Sequence, residues 1–264
     1  MSSKKIKVSI FCSIFKGAKY IDHYLKDITN QTIFEECELI LVDANSPDKE
    51  FSKIKDYQNK YSNIKYLRLN SDPGLYACWN IAIQESSGEI LNNANLDDSK
   101  RKDALEIQYQ YLDENKDIDL VYADSLITNS INCSYDVAFK ESAFRYNFPD
   151  FSMANIIDCN PPHQSPVYRK SLHDKFGFFD ESYRSAADHE FWLRCGANGA
   201  KMKKIDDILG VYYDNPTGVS TDPNNYSWKM IEEKKVRDKY KEHGITHTGN
   251  ARRIIRNINN IINV

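Results

Sequence analysis

Residues 7–15 read KVSIFCSIF, a β-branched and aromatic run that predicts a strand. The period then changes. Tyr20, Ile21, Tyr24, Leu25 and Ile28 recur at helical spacing, so residues 18–31 are expected to form an amphipathic helix. The apolar run ELILV (38–42) predicts a short buried strand, and Asp43-Ala-Asn-Ser-Pro-Asp48 is a turn by composition. A polar helix over 49–61, a strand over 64–69 and a helix over 75–84, opened by Asp72-Pro73-Gly74, follow. Then come a strand over 89–96, a helix over 102–115 and a strand over 119–123. This β-α-β-α order predicts an α/β fold, a mostly parallel central sheet with helices on both faces.

From Ser125 to Cys159 the periodicity weakens, and aromatic and polar residues alternate without a clear rule; an insertion over one sheet edge is expected there. Helices are predicted over 170–176 and 188–197, a strand-rich stretch over 203–213, and charged helix from Asn224 to the end. The 264 residues suit one large domain, or a core with a smaller lobe. The net charge of −3 lacks the basic surplus of a duplex binder, so no nucleic-acid partner is expected. No apolar run approaches the roughly 18 residues of a membrane span, and Met1 to Lys7 does not read as a signal peptide. Six scattered cysteines without a C-x-x-C pair argue for reduced thiols in a cytoplasmic protein.

In open α/β sheets ligands bind beyond the carboxyl ends of the strands. Three polar clusters fall at such ends: Ser13, Asp43-Ala-Asn-Ser46 and Asn95-Leu-Asp-Asp98. The last is the sharpest. Adjacent carboxylates at a strand end suit a hard divalent cation, Mg²⁺ or Mn²⁺, which takes one or two carboxylates and completes its shell with water and phosphate oxygens. If the strand continues, Asn93, Asn95 and Asp97 share one face. The competing reading is that Asp98-Ser99 caps the next helix. Asp188, in Ser185-Ala-Ala-Asp-His-Glu190, likewise reads either as a helix cap or as a base for an acceptor hydroxyl. The neighbouring His189 carries less weight and is expected at the surface or behind the reacting groups.

The ordered set of segments resembles a family-2 glycosyltransferase of the GT-A fold. It comprises Val8-Ser-Ile-Phe-Cys-Ser13, Glu38-Leu-Ile-Leu-Val-Asp43-Ala-Asn-Ser46, Gly74-Leu-Tyr-Ala-Cys-Trp-Asn80 with Ser87-Gly-Glu-Ile90, and Asn95-Leu-Asp-Asp98. Further on are Pro162-His-Gln-Ser-Pro-Val-Tyr-Arg169, Phe176-Gly-Phe-Phe-Asp-Glu181 and Ala187-Asp188 through Trp192-Leu-Arg194. The resemblance implies a nucleotide-sugar donor and an inverting transfer to a saccharide or lipid-linked acceptor, in surface polysaccharide or glycolipid synthesis. It implies that Ser13 and Asp43 line the nucleoside pocket and that Asp97 approaches the ribose or the metal shell. Asp98 would hold the divalent cation, and Asp188 would be the general base. The resemblance spans roughly residues 7–220 and implies a nucleotide-sugar-binding region over 1–124 and an acceptor-side region of the same domain over 125–223; the pattern of the remainder adds a helical extension over 224–264. Ala44 stands where a second acid is common in the family, and Asn95 where an acid can precede the metal ligand.

A nucleotidyltransferase is the alternative enzyme, although Ser13-Ile-Phe-Lys-Gly17 is a poor phosphate loop. A glycoside hydrolase would need two carboxylates set apart across a sugar, which neighbours such as Asp97 and Asp98 do not provide. A non-catalytic sugar-binding module would have no use for a metal-diphosphate site. At the C-terminus, Ile254, Ile255, Ile258, Ile261 and Ile262 fall at helical spacing beside Arg252, Arg253 and Arg256. The stripe would pack on the domain, form a homodimer contact, or hold the chain peripherally at the inner face of a membrane.

Overall fold

The computed structural model describes residues 5–141, 144–241 and 254–257. The first elements are β1 (Val8–Ile14), α1 (Ile21–Thr29), β2 (Cys37–Asp43), α2 (Glu50–Gln58), β3 (Ile64–Arg68), α3 (Leu75–Gln84) and β4 (Ile90–Asn93). Next come β5 (Ser99–Lys100), α4 (Ala104–Glu114), β6 (Leu120–Thr128), α5 (Tyr135–Glu141), β7 (Phe144–Asn147), α6 (Met153–Asp158) and β8 (Val167–Arg169). The remainder is α7 (Ser171–Phe176), α8 (Ala187–Ala197), β9 (Met202–Tyr213), α9 (Tyr226–Lys241) and β10 (Ile254–Asn257).

The sheet runs β10-β7-β6-β8-β4-β1-β2-β3, with β9 parallel to β6 and pairing β5. Its β4-β1-β2-β3 half is parallel throughout, as the alternation of strands and helices requires; β8 enters antiparallel between β4 and β6. Successive residues of β1 and β2 feed opposite faces. Phe11, Ile40 and Val42 join a core with α3 and α8, while Ile10, Cys12, Leu39 and Leu41 join one with α1, α2 and α4. Burial on both faces explains why these strands read as continuous apolar runs.

Three expectations are corrected. The fourth strand stops at Asn93, where its pairing with Phe11 ends, so residues 94–98 form a turn and the proposed shared face of Asn93, Asn95 and Asp97 does not exist. The irregular segment holds α5, β7 and α6, elements too short to show a period. The charged helix is seen over Tyr226–Lys241, residues 242–253 lie outside the described residues, and Ile254–Asn257 is a strand antiparallel to β7, not part of an amphipathic helix. Its β-branched isoleucines and the open edge of β7 favour that pairing. The rest of the isoleucine stripe lies outside the described residues.

Candidate active site

A cleft of about 650 Å³ opens at the carboxyl ends of β1, β2 and β4, lined among others by Ser13, Lys16, Lys19, Ala44, Asp97, Asp98 and the 217–221 segment. That volume suits a small-molecule ligand. Its floor is built by two loops tied together. Lys16 N donates to Ser46 Oγ at 2.9 Å, and Gly17 N donates to the Glu50 carboxylate at 2.7 Å. A Cβ on Gly17 would meet Leu96 Cδ2 at 2.3 Å, so a larger residue there would have to displace the Leu96 side chain of the acidic turn.

Asp97 and Asp98 lie side by side in the turn after β4. Asp98 is 7% exposed; its oxygens accept from Tyr213 N at 3.0 Å and Asn95 Nδ2 at 3.0 Å. Asp97 accepts from Asn215 Nδ2 at 2.9 Å. Burial, and then the neighbouring Asp97 charge, push the Asp98 carboxyl up to about 8. Asp98 caps no helix, because the chain continues into β5 and α4 begins only at Ala104. Among the described residues no three acid, histidine or cysteine side chains cluster as a closed metal cage. Two crowded carboxylates held by neutral donors nevertheless fit a cation that draws its other ligands from phosphate and water.

Ser13 lines the cleft. Asp43 does not: it is fully buried behind Ala44, bound by Arg68 Nη1 at 2.7 Å, by the Tyr66 hydroxyl and by Ser46 N at 2.6 Å. Its charge is engaged by the Arg68 guanidinium.

Asp188 is the second residue of α8, and Ala186 holds the capping position, so the carboxylate is not a cap. It is buried outside the set of cleft-lining residues, accepting from the Tyr76 hydroxyl at 2.8 Å and Asn160 Nδ2 at 2.7 Å. Desolvation raises its pKa; the hydrogen bonds from Tyr76 and Asn160 and the nearby His189 oppose that rise. His189 is buried, not superficial, with Nε2 2.5 Å from Ile156 O, which assigns the proton to Nε2.

Sequence reading missed Lys16 and Lys19 as cleft cations, Tyr76 and Asn160 as partners of Asp188, and Asn215 as the partner of Asp97. In sequence the loop holding Lys16 is read only as a glycine-rich phosphate loop, not for its lysines as cations for an anionic ligand. Tyr76, Asn160 and Asn215 carry no such signal, since their contacts span 28 to 118 residues of chain.

A parallel half-sheet with carboxylates in a cleft at its strand ends is the arrangement of a GT-A glycosyltransferase. The Glycosyl transferase family 2 profile matches residues 9–176, well over half of the chain, and the protein belongs to that family. It is 27% identical over 194 residues to an uncharacterized glycosyltransferase of Methanocaldococcus jannaschii, covering 74% of this chain and 66% of that one. A PGL/p-HBAD biosynthesis glycosyltransferase of Mycobacterium bovis is 26% identical over 213 residues, covering 80% of this chain and 78% of the relative. Among solved structures, S. aureus TarS 1–349 in complex with UDP-GlcNAc superposes with a TM-score of 0.66 at 21% identity, covering 88% of this chain and 71% of that one. The mannosyltransferase PcManGT of Pyrobaculum calidifontis, in complex with GDP-Man and Mn²⁺, gives 0.66 at 16% identity, covering 89% and 66%. The chain spans only 39% of the longer TarS structure.

Proposed function

We propose that this glycosyltransferase carries a sugar from a nucleotide-sugar donor to an acceptor hydroxyl with inversion at the anomeric carbon. The observation that carries the reading is the Asp97–Asp98 pair. Two adjacent carboxylates share a cleft of about 650 Å³, and Asp98 is buried with only neutral donors on its oxygens. Asp98 would hold a divalent cation, Mg²⁺ or Mn²⁺, against the donor diphosphate, with Asp97 at its flank. When bound, the cation supplies Lewis-acid stabilisation of the leaving diphosphate, an effect worth several kcal/mol.

The chain's own groups do the rest. Lys16 and Lys19 line the same cleft and attract the anionic donor. Ser13 and the segment from Asp72 to Leu75 border the place for the nucleoside. Asp43 enters our reading only behind this wall, shaping the β2 loop through Arg68 and Ser46. Asp188 takes the acceptor proton as the hydroxyl oxygen attacks the anomeric carbon. The bond to the diphosphate oxygen breaks, and its electron pair leaves with the nucleotide. A base whose pKa is raised by burial is better matched to proton abstraction near neutral pH.

Residues 1–124 would supply the donor side and 125–223 the acceptor side of one domain. The acceptor class we favour is a saccharide or lipid-linked glycan of surface polysaccharide or glycolipid synthesis. It is supported by the mycobacterial relative and by a cholesterol galactosyltransferase of Borreliella burgdorferi, 35% identical over 105 residues, 40% of this chain and 29% of that one. Cytoplasmic placement is part of this reading. Among the described residues no helix is long and apolar enough to cross a membrane. Screening nucleotide sugars for thermal stabilisation with and without Mn²⁺ tests the proposal. A donor at 100 times its Kd stabilises the fold by about 2.7 kcal/mol. Stabilisation by one nucleotide sugar that needs Mn²⁺ is expected; no response to any of them would overturn the reading.

A further inference from the structure

We propose that Tyr76 is a positioning residue for Asp188: its hydroxyl, pinned by an aromatic cluster at the edge of the donor cleft, fixes the carboxylate and links it to the cleft wall. This rests on the reading of Asp188 as the base.

The geometry begins at Gly74, whose φ of +95° turns the chain sharply into α3. Gly74 and Leu75 line the cleft, and Tyr76 is the next residue, turned inward and 3% exposed. Its ring lies edge-on to Trp79 at 5.2 Å and tilted against Phe179 at 5.9 Å. Phe179 is in turn bound to α3 through its backbone. Asn80 Nδ2 donates to Phe179 O at 2.9 Å, and Phe179 N donates to Asn80 Oδ1 at 3.1 Å. A ring held on these sides has one place for its hydroxyl, which donates to Asp188 Oδ1 at 2.8 Å. One carboxylate oxygen is thus set by α3, and the other by Asn160 Nδ2.

The tyrosine is suited to that task because it stays a donor. Burial, then the Asp188 charge, hold its own pKa well above the ordinary tyrosine value. A neutral donor also orients a carboxylate while lowering its basicity less than an ammonium or guanidinium would. The other groups facing this corner are His189 on α8, Asn160 before β8, and Glu232, Glu233 and Arg237 on α9, which act on Tyr76 and His189. No lysine or arginine reaches the Asp188 oxygens among the described residues, so the Tyr76 and Asn160 side chains, with His189 beside them, keep the carboxylate ionisable.

The test uses the full chain and Tyr76→Phe, which keeps the ring and removes the hydroxyl. Tyr122→Phe is the control, because it removes a comparably buried hydroxyl that donates to Pro149 O at 2.6 Å, away from Asp188. The Asp188 carboxyl carbon is followed by ¹³C NMR through a pH titration and assigned by its loss in Asp188→Asn. In Tyr76→Phe its midpoint should rise by roughly one pH unit, the worth of one hydrogen bond to a charged group. The acidic limb of kcat, measured with the stabilising nucleotide sugar, should rise with it, and Tyr122→Phe should leave both in place. An unmoved midpoint in Tyr76→Phe overturns the proposal, as does an equal shift in the control. Near-normal turnover in Asp188→Asn instead shows that the base assignment has failed, a result independent of the Tyr76 titration.

Discussion

Asp188 and Glu190 lie two residues apart on α8 and are both buried, yet their surroundings differ in kind. Glu190 is enclosed by cations: Arg194 Nη2 at 2.8 Å and Lys239 Nζ at 2.6 Å, with the Tyr240 hydroxyl at 2.8 Å. Burial would raise its pKa, but these partners outweigh burial and hold it below the ordinary glutamate range. Among the described side chains, Asp188 takes hydrogen bonds from Tyr76 and Asn160, both neutral; desolvation outweighs them and its pKa rises. The same division runs through the donor half, where Asp43 is engaged by Arg68 while Asp98 has neutral donors. An acid matched by cations ties elements together: Glu190 joins α8 to α9, and Asp43 joins β2 to β3. An acid left with neutral donors keeps its affinity for a proton or a metal.

The largest effect that would sharpen this contrast is on turnover. Asp188→Asn should keep nucleotide binding and melting temperature but lose about 10²–10⁴-fold in kcat, the usual worth of a general base. Steady-state kinetics of sugar transfer measures it, and near-normal kcat would erase the difference between the two acids.

Next comes a stability effect near the same helix. His173 is sandwiched between Phe178 and Phe191, and desolvation lowers its pKa to about 4. The unfolded chain binds this proton near pH 6.5, so the contribution is complete above that pH and is lost as pH falls from 6.5 towards 4. His173→Phe should flatten the urea-derived stability profile across that window by roughly 3 kcal/mol. An unchanged slope would place the acid sensitivity elsewhere.

A smaller loss is expected from Glu190→Gln, which weakens the bonds to Arg194 and Lys239. Both cations are partly exposed, so water recovers some of their solvation, and about 2 kcal/mol should be lost rather than the larger cost of a fully buried pair. Chemical denaturation gives the value. Turnover of the folded variant should stay near normal; if kcat falls as far as in Asp188→Asn, Glu190 belongs with Asp188 and the division fails.

Local pattern made the parallel half of the fold legible. β1 and β2 announce themselves because both faces are buried, and α1 because its apolar stripe faces one core; β3, at the sheet edge, is buried fully only at Ile64. The acids of the site were legible too, as residues at strand and helix ends. Their status was not. Nothing in the segment around Asp43 tells that Arg68 takes its charge, and nothing around Asp188 tells that Tyr76, more than a hundred residues away, donates to it. The capping alternatives for Asp98 and Asp188 could be rejected only once β5 and Ala186 were located. The C-terminal isoleucines failed for a related reason: a helical period and a β-branched strand share residue types, and pairing with β7 decides between them at Ile254–Asn257.

The central claim is that Asp98 holds the cation that binds the donor diphosphate. Calorimetric titration of the matching nucleoside diphosphate, with and without Mn²⁺, into the wild-type chain and Asp98→Asn tests it most directly. The asparagine keeps the hydrogen-bond acceptor for Tyr213 N while removing the charge. The wild type should bind much more tightly with Mn²⁺, and the variant should bind weakly and equally under both conditions. The same Mn²⁺-dependent gain in both proteins would contradict the account.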